Sequence, residues 1–150
     1  MQTVFDHTIR QHLIDRIGQI KESNKAEWGQ MNVHQMLKHN TYWNEWILGK
    51  DAHTYKQTFL GKIFGKIALK RMIKNEEPFD KNIPTSEQFK AKNQFSDLEA
   101  EKLKWISLLK EYKNFNNPEF VHDFFGTMTK EQIGILVHKH SDHHLRQFGI

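Results

Sequence analysis

Long stretches of this chain repeat their apolar residues every three or four positions, and little interrupts them: there are only three prolines and eight glycines. That spacing stacks apolar side chains on one face of a helix and does not fit the alternation of a half-buried strand. Phe5, Ile9, Leu13, Ile17 and Ile20 predict a first helix over roughly residues 4–22. Asn32 with Gln35 three residues on has the form of a capping box, and predicts a second helix from there to Leu48, with Gly49 as its stop. Leu60, Ile63, Phe64 and Ile67 mark a further helix over about residues 59–74. On another side of it Lys62, Lys66, Lys70 and Lys74 recur at every fourth position and read as a solvated face. Pro78 to Pro84 breaks any helix. Ser96-Asp-Leu-Glu99 predicts a capping box for the third long helix, which runs through Trp105, Leu108, Leu109 and Tyr112 and ends at Asn116-Asn117-Pro118. Thr129-Lys-Glu-Gln132 opens the fourth in the same way, and it extends to about Phe148. The expectation is an all-α chain: one domain over residues 1–150, an up-down four-helix bundle with a lysine-rich helical insertion between its second and third long helices.

Composition narrows the chemistry. The chain has no cysteine, so disulfides, thiolate ligands and a cysteine nucleophile are excluded, and a bound metal must be held by histidine, carboxylate or carbonyl groups. No apolar run approaches the ~20 residues of a membrane-spanning helix, and the N-terminus lacks a signal-peptide pattern, so the expected setting is cytoplasmic with no membrane partner. The net charge of +4 is concentrated in residues 50–92, where ten Lys or Arg face five Asp or Glu. A patch of that size gives nucleic acid only weak support as a partner. Four Trp and eleven Phe are hard to hide in one small bundle, which raises a homodimer.

Ten histidines is a high count, and four of them fall between His138 and His144. At about 100° per residue, His140 and His144 on the last helix continue the apolar stripe of Ile133, Leu136 and Val137 and point inward. His143 falls on the flank, and His138 is expected to face solvent. On the second helix His39 shares the direction of Met36, Trp43 and Trp46 and is core-facing too. Buried imidazoles without partners are costly, and two of them one turn apart repel if charged. A divalent cation held by His39, His140 and His144 removes both difficulties. Gln35 and Gln147 project toward the same interior as ligand-orienting candidates, with Tyr42, Trp43, Trp46 and His143 as pocket candidates. Tyr42, Trp43 and Trp46 read first as core. No general base emerges: Glu45 lies about 120° from His39 around the helix, and Asp142 points away from His140.

At these residues the chain resembles the DinB-like superfamily of metal-binding four-helix bundles, in a branch of unknown function. The resemblance spans nearly the whole chain and is carried by Trp28-Gly-Gln-Met31, Met36-Leu-Lys-His39, and Phe125-Gly-Thr-Met-Thr-Lys-Glu-Gln132 leading to His140-Ser-Asp-His-His-Leu-Arg-Gln147-Phe-Gly149. It implies one divalent ion, Zn or Ni, on one histidine of the second helix and two at i and i+4 of the last, which correspond to His39, His140 and His144. Many members end this motif His-His-Arg-Gly-Gln; here Leu145 intervenes, so no role is carried over to Arg146.

Two functions follow as expectations. In the first, three histidines leave a coordination position open, and the chain is a metal-dependent enzyme acting on a small molecule. The resemblance favours thiol-dependent transfer or isomerisation, with a low-molecular-weight thiol as cosubstrate, over hydrolysis. In the second, the metal staples a non-enzymatic binding module whose basic insertion meets an acidic partner. A cavity reaching the histidines separates the two.

Overall fold

The computed structural model describes residues 1–50, 55–84, 86–91, 95 and 97–150. Among them are five α-helices and no strand: α1 (His7–Gly18), α2 (Val33–Leu48), α3 (Phe59–Met72), α4 (Leu98–Glu111) and α5 (Lys130–Gln147). Single 3-10 turns cover Glu87–Phe89 and Tyr112–Asn114. The chain is all-α, as its periodicity predicts.

The helix ends follow local side-chain chemistry. Asn32 accepts from the Gln35 backbone N–H while the Gln35 side chain accepts from the Asn32 N–H, so α2 begins with a reciprocal cap. It ends at Gly49, whose φ of 69° is the left-handed conformation that a glycine adopts without strain. Thr129 and Gln132 make the same reciprocal cap for α5. The first helix is shorter than expected. Asp6 caps it by accepting from the Ile9 N–H, so Val4 and Phe5 lie outside it. Val4 instead bonds its N–H to the Gly134 carbonyl (3.1 Å) and is fully buried against α5. The expected cap residue Ser96 lies outside the described residues, and Asp97 caps α4 by accepting from the Ala100 N–H.

The long helices pack in a ring of pairs: α2 on α4, α4 on α1, α1 on α5, and α5 back on α2. Leu13, Ile17, Met36, Leu37, Ile47, Trp105, Leu109 and Val137 fill the space between them and are essentially inaccessible. A buried hydrogen bond from the Tyr112 hydroxyl to the Asn44 side-chain oxygen (2.9 Å) crosses the core.

Helix α3 is attached differently. The faces it turns to the body are glycines: Gly61 and Gly65 are buried, and a Cβ at either would run into the Phe124 carbonyl. Thr58 N–H bonds the Asp123 carbonyl (2.7 Å), the Gln57 side chain reaches the Phe124 carbonyl (3.0 Å), and Lys66 reaches the Thr127 carbonyl. Leu69 is the helix's one large buried side chain. The apolar residues that mark one side of this helix in the sequence are exposed, Leu60 by 60% and Ile67 by 72%.

Candidate metal centre

His39, on the middle of α2, and His140 and His144, one turn apart on α5, converge between the two helices. One ring nitrogen from each lies within 4.8 Å of the others. The ring centroids are 5.1 Å (His39–His140), 4.7 Å (His39–His144) and 4.6 Å (His140–His144) apart. Trp43, one turn after His39, stacks on His140 at 3.9 Å with only 16° between the planes, which fixes that ring's orientation.

The surrounding hydrogen bonds decide which nitrogens are free. His39 Nδ1–H donates to the Phe89 carbonyl (3.0 Å), which leaves its Nε2 lone pair for the cluster. His144 Nδ1–H donates to the Gln147 side-chain oxygen (2.9 Å). The Gln147 amide nitrogen in turn donates to the Trp28 carbonyl (2.7 Å), so the amide cannot flip and the His144 tautomer is set. Gly29 permits this approach, since a Cβ there would stand 2.7 Å from the Gln147 amide nitrogen. His140 Nε2 lies 3.1 Å from His39 Nε2, while its Nδ1 is buried with no partner among the described residues.

Burial keeps the three rings neutral. Removal from water is the largest cause at each, and it brings His39 down to about 4 against the opposing hydrogen bond to the Phe89 carbonyl. It holds His140 and His144 well below the ordinary histidine value, reinforced at both by repulsion from His39 and at His140 also by His144. Three neutral imidazoles therefore present nitrogens to one point, with at most one proton among them to relieve the contact of two lone pairs at 3.1 Å. That donor set can hold a divalent cation, and both His39 and His144 carry the outer hydrogen bonds that orient metal-binding histidines.

All three rings line a cavity of about 680 Å³, within the range of small-molecule sites. Its walls include Trp43, Phe79, Phe125, Leu136 and the inner edge of α3 at Ala68 and Met72. Lys139 also lines it, tied to the Met72 (2.5 Å) and Asn75 (3.1 Å) carbonyls, with burial lowering its pKa.

The other expected site residues divide. Gln147 and Trp43 contact the cluster directly, and His143 lines the cavity between Trp28 and Phe79 without joining the three. Gln35 is spent on the α2 cap and on the Ala91 carbonyl, because the capping box claims its side chain at the helix start. Tyr42 is 38% exposed, on the outer side of α2, and belongs neither to the core nor to the cavity lining. Trp46 is core, packed against Phe89, Phe120 and His122, one layer behind the cavity. His138 overturns its expected solvent position: it is 8% exposed. α1 covers that side of α5, bringing His12 and Arg16 to it, so a helix that reads as one-sided is enclosed nearly all round.

Sequence reasoning missed His122 and Asp123. Both line the cavity, on the irregular segment between α4 and α5. His122 Nδ1 is 2.9 Å from an Asp123 carboxylate oxygen and also faces the N–H groups of Phe124 (3.1 Å) and Phe125 (3.3 Å). Burial raises the Asp123 pKa, but His122 and the Ser86 hydroxyl (2.7 Å) outweigh it and leave the carboxyl below its usual value. Nothing in the spacing around His122 signals this, because the pairing is made by a loop. Glu45 and Asp142 are committed elsewhere, to Lys104 (2.8 Å) and Arg16 (2.8 Å).

Neither a curated protein nor a solved structure matches the chain. One family model does, over residues 5–149, and the chain therefore belongs to the family described as protein of unknown function (DUF1569).

Proposed function

We propose that this chain is a metal-dependent enzyme acting on a small molecule, with the DinB-like bundle as its scaffold and His39, His140 and His144 as the ligands of one divalent cation, Zn or Ni. The observation that carries the reading is the convergence of three neutral imidazole nitrogens at the wall of a 680 Å³ cavity. A structural staple has no use for such a cavity, and no apolar side chain among the described residues fills it. Held by these three histidines, such an ion would supply a Lewis acid for polarising a bound substrate or stabilising the anion of a small thiol.

The chain's own residues supply the rest. The Phe89 carbonyl and Gln147 hold the His39 and His144 lone pairs in place, and Trp43 holds the His140 plane. Phe79, Phe125 and Leu136 give the cavity apolar walls that exclude water around a bound substrate. His122 and Asp123 add a polar stretch to the same wall, where they can hydrogen-bond a bound substrate. Since the chain has no cysteine, a thiol in the reaction comes from a low-molecular-weight cosubstrate; the resemblance to the DinB-like superfamily is what favours thiol-dependent transfer or isomerisation over hydrolysis.

The test begins with elemental analysis of protein purified without chelators, then titration of the metal-free protein with Zn, Ni and Co. About one ion per chain is expected, and failure to take up any of the three ends the reading. A panel of small thiols added to the cobalt form then separates the two functions. A thiol-dependent change in the cobalt absorption supports the enzyme, whereas a spectrum indifferent to every thiol and to pH favours the staple.

A further inference from the structure

Helix α3 is built inside out. Its small residues, Gly61, Gly65 and Ala68, face the body, and Phe59, Leu60, Ile63, Phe64 and Ile67 are all between 51% and 76% exposed. At about 100° per residue these five fall within one contiguous face, spanning roughly 140°. Isolated exposed apolar residues are ordinary, but five large ones on one side of a helix are not.

The charges around this face select its partner. From Phe59 to Asn75 there are five cations, Lys62, Lys66, Lys70, Arg71 and Lys74, and no acidic residue. Lys62 flanks the apolar face, beside Lys66, whose ammonium is tied to the Thr127 carbonyl, while Lys70, Arg71 and Lys74 continue the face at its C-terminal end. A second copy is a poor match, since two-fold pairing of the helix brings cation rows together with no carboxylate on it to answer them. Nucleic acid answers the cations but leaves five apolar side chains without a place. A bilayer surface with anionic headgroups satisfies both: apolar residues enter the headgroup–acyl boundary, and lysines keep their ammonium groups among the phosphates.

We propose that α3 docks the protein, lying flat, on an anionic lipid bilayer. At 14 residues it is roughly 21 Å long, too short to span one, and no described helix is long and apolar enough to cross a membrane. Ala68, Arg71 and Met72 of the same helix line the cavity, so docking brings the cavity wall to the lipid interface. The proposal does not depend on the metal.

The test is co-sedimentation of the full chain with phosphatidylcholine vesicles containing phosphatidylglycerol, against phosphatidylcholine alone. Binding is expected only to the anionic vesicles and weakens as salt is raised. Ile63→Asn/Ile67→Asn and, separately, Lys62→Glu/Lys70→Glu should each reduce vesicle affinity by at least about tenfold. All four sites are exposed, and circular dichroism confirms folding. No binding to anionic vesicles overturns the proposal, as does binding that both double variants retain. A dimer in light scattering that Ile63→Asn/Ile67→Asn dissolves, with no vesicle binding, gives the face to a second copy and overturns it equally.

Discussion

Helices α5 and α3 depart from the usual relation between composition and burial in opposite directions. α5 carries four histidines, Lys139, Ser141 and Gln147, and it is enclosed on nearly every side. α3 carries a run of phenylalanine, leucine and isoleucine and turns most of it outward. Burying polar groups is costly unless they are paired, and exposing apolar ones forfeits the main driving force of folding. Each helix is thus locally wrong for a chain that binds nothing. The histidine face of α5 is suited to a cation, and the outer face of α3 to an apolar, anionic surface.

The comparison breaks first at α5, where the largest effect is expected. His144→Ala should lower Zn affinity on the order of a thousandfold, since it removes one of the three proposed ligands from a site whose whole binding energy is large. His138→Ala should leave that affinity nearly unchanged, although His138 is also buried, because it lies outside the three-histidine group. Competition with a chelating dye measures both. Retained affinity in His144→Ala with loss in His143→Ala would move the site by one residue along the helix.

Acid offers a second test on the same helix. In the metal-free protein, His39, His140 and His144 have folded pKa values below the unfolded value of about 6.5, so the unfolded chain binds more protons as pH falls. Stability is therefore full above about pH 6.5 and is lost on the way down toward the folded values. His39 alone, at about 4, accounts for a loss on the order of 3 kcal/mol by pH 4. Denaturant melts of metal-free protein between pH 7 and 4 read this directly, and a flat profile contradicts neutral burial.

A smaller effect is expected one shell out. Gln147→Ala removes the acceptor that fixes His144, and should cost about 10–100-fold in Zn affinity. The ring can still reach the ion but no longer holds one tautomer. A loss as large as that of His144→Ala would mean that Gln147 itself is a ligand.

What could be read from sequence divides along the same line. Capping boxes are local, so Asn32 with Gln35 and Thr129 with Gln132 announce α2 and α5 at the correct residues. The three histidines are legible because each lies on a periodic apolar stripe. His138 is misread because a helical wheel knows one helix, and the cover over His138 comes from α1. Gln35 points the right way on the wheel, but its side chain is taken by the cap it helps to make. Phe89, Trp28, His122 and Asp123 are held by irregular backbone, where no period tells which residues meet. The outward face of α3 was visible as a pattern, but not its direction. The contact of Gly61 and Gly65 with the Phe124 backbone and the burial of Leu69 show which side is in.

The smallest expected effect is the sharpest test of that direction. In a helix packed in the ordinary way, trimming a large aliphatic residue opens a cavity and costs about 2–5 kcal/mol. Ile63 and Leu69 are both large and aliphatic and sit on one helix, yet Ile63 is 51% exposed and Leu69 only 2%. Leu69→Ala should therefore destabilise by an amount in the cavity range. Ile63→Ser should change stability by no more than about 0.5 kcal/mol, because it removes side-chain surface that is already largely wetted. Urea melts of the two variants decide the matter without lipid or metal. Equal losses would put Ile63 in a packed interface, with α3 turned the other way, whereas a loss confined to Leu69→Ala leaves the apolar face outward and free to bind.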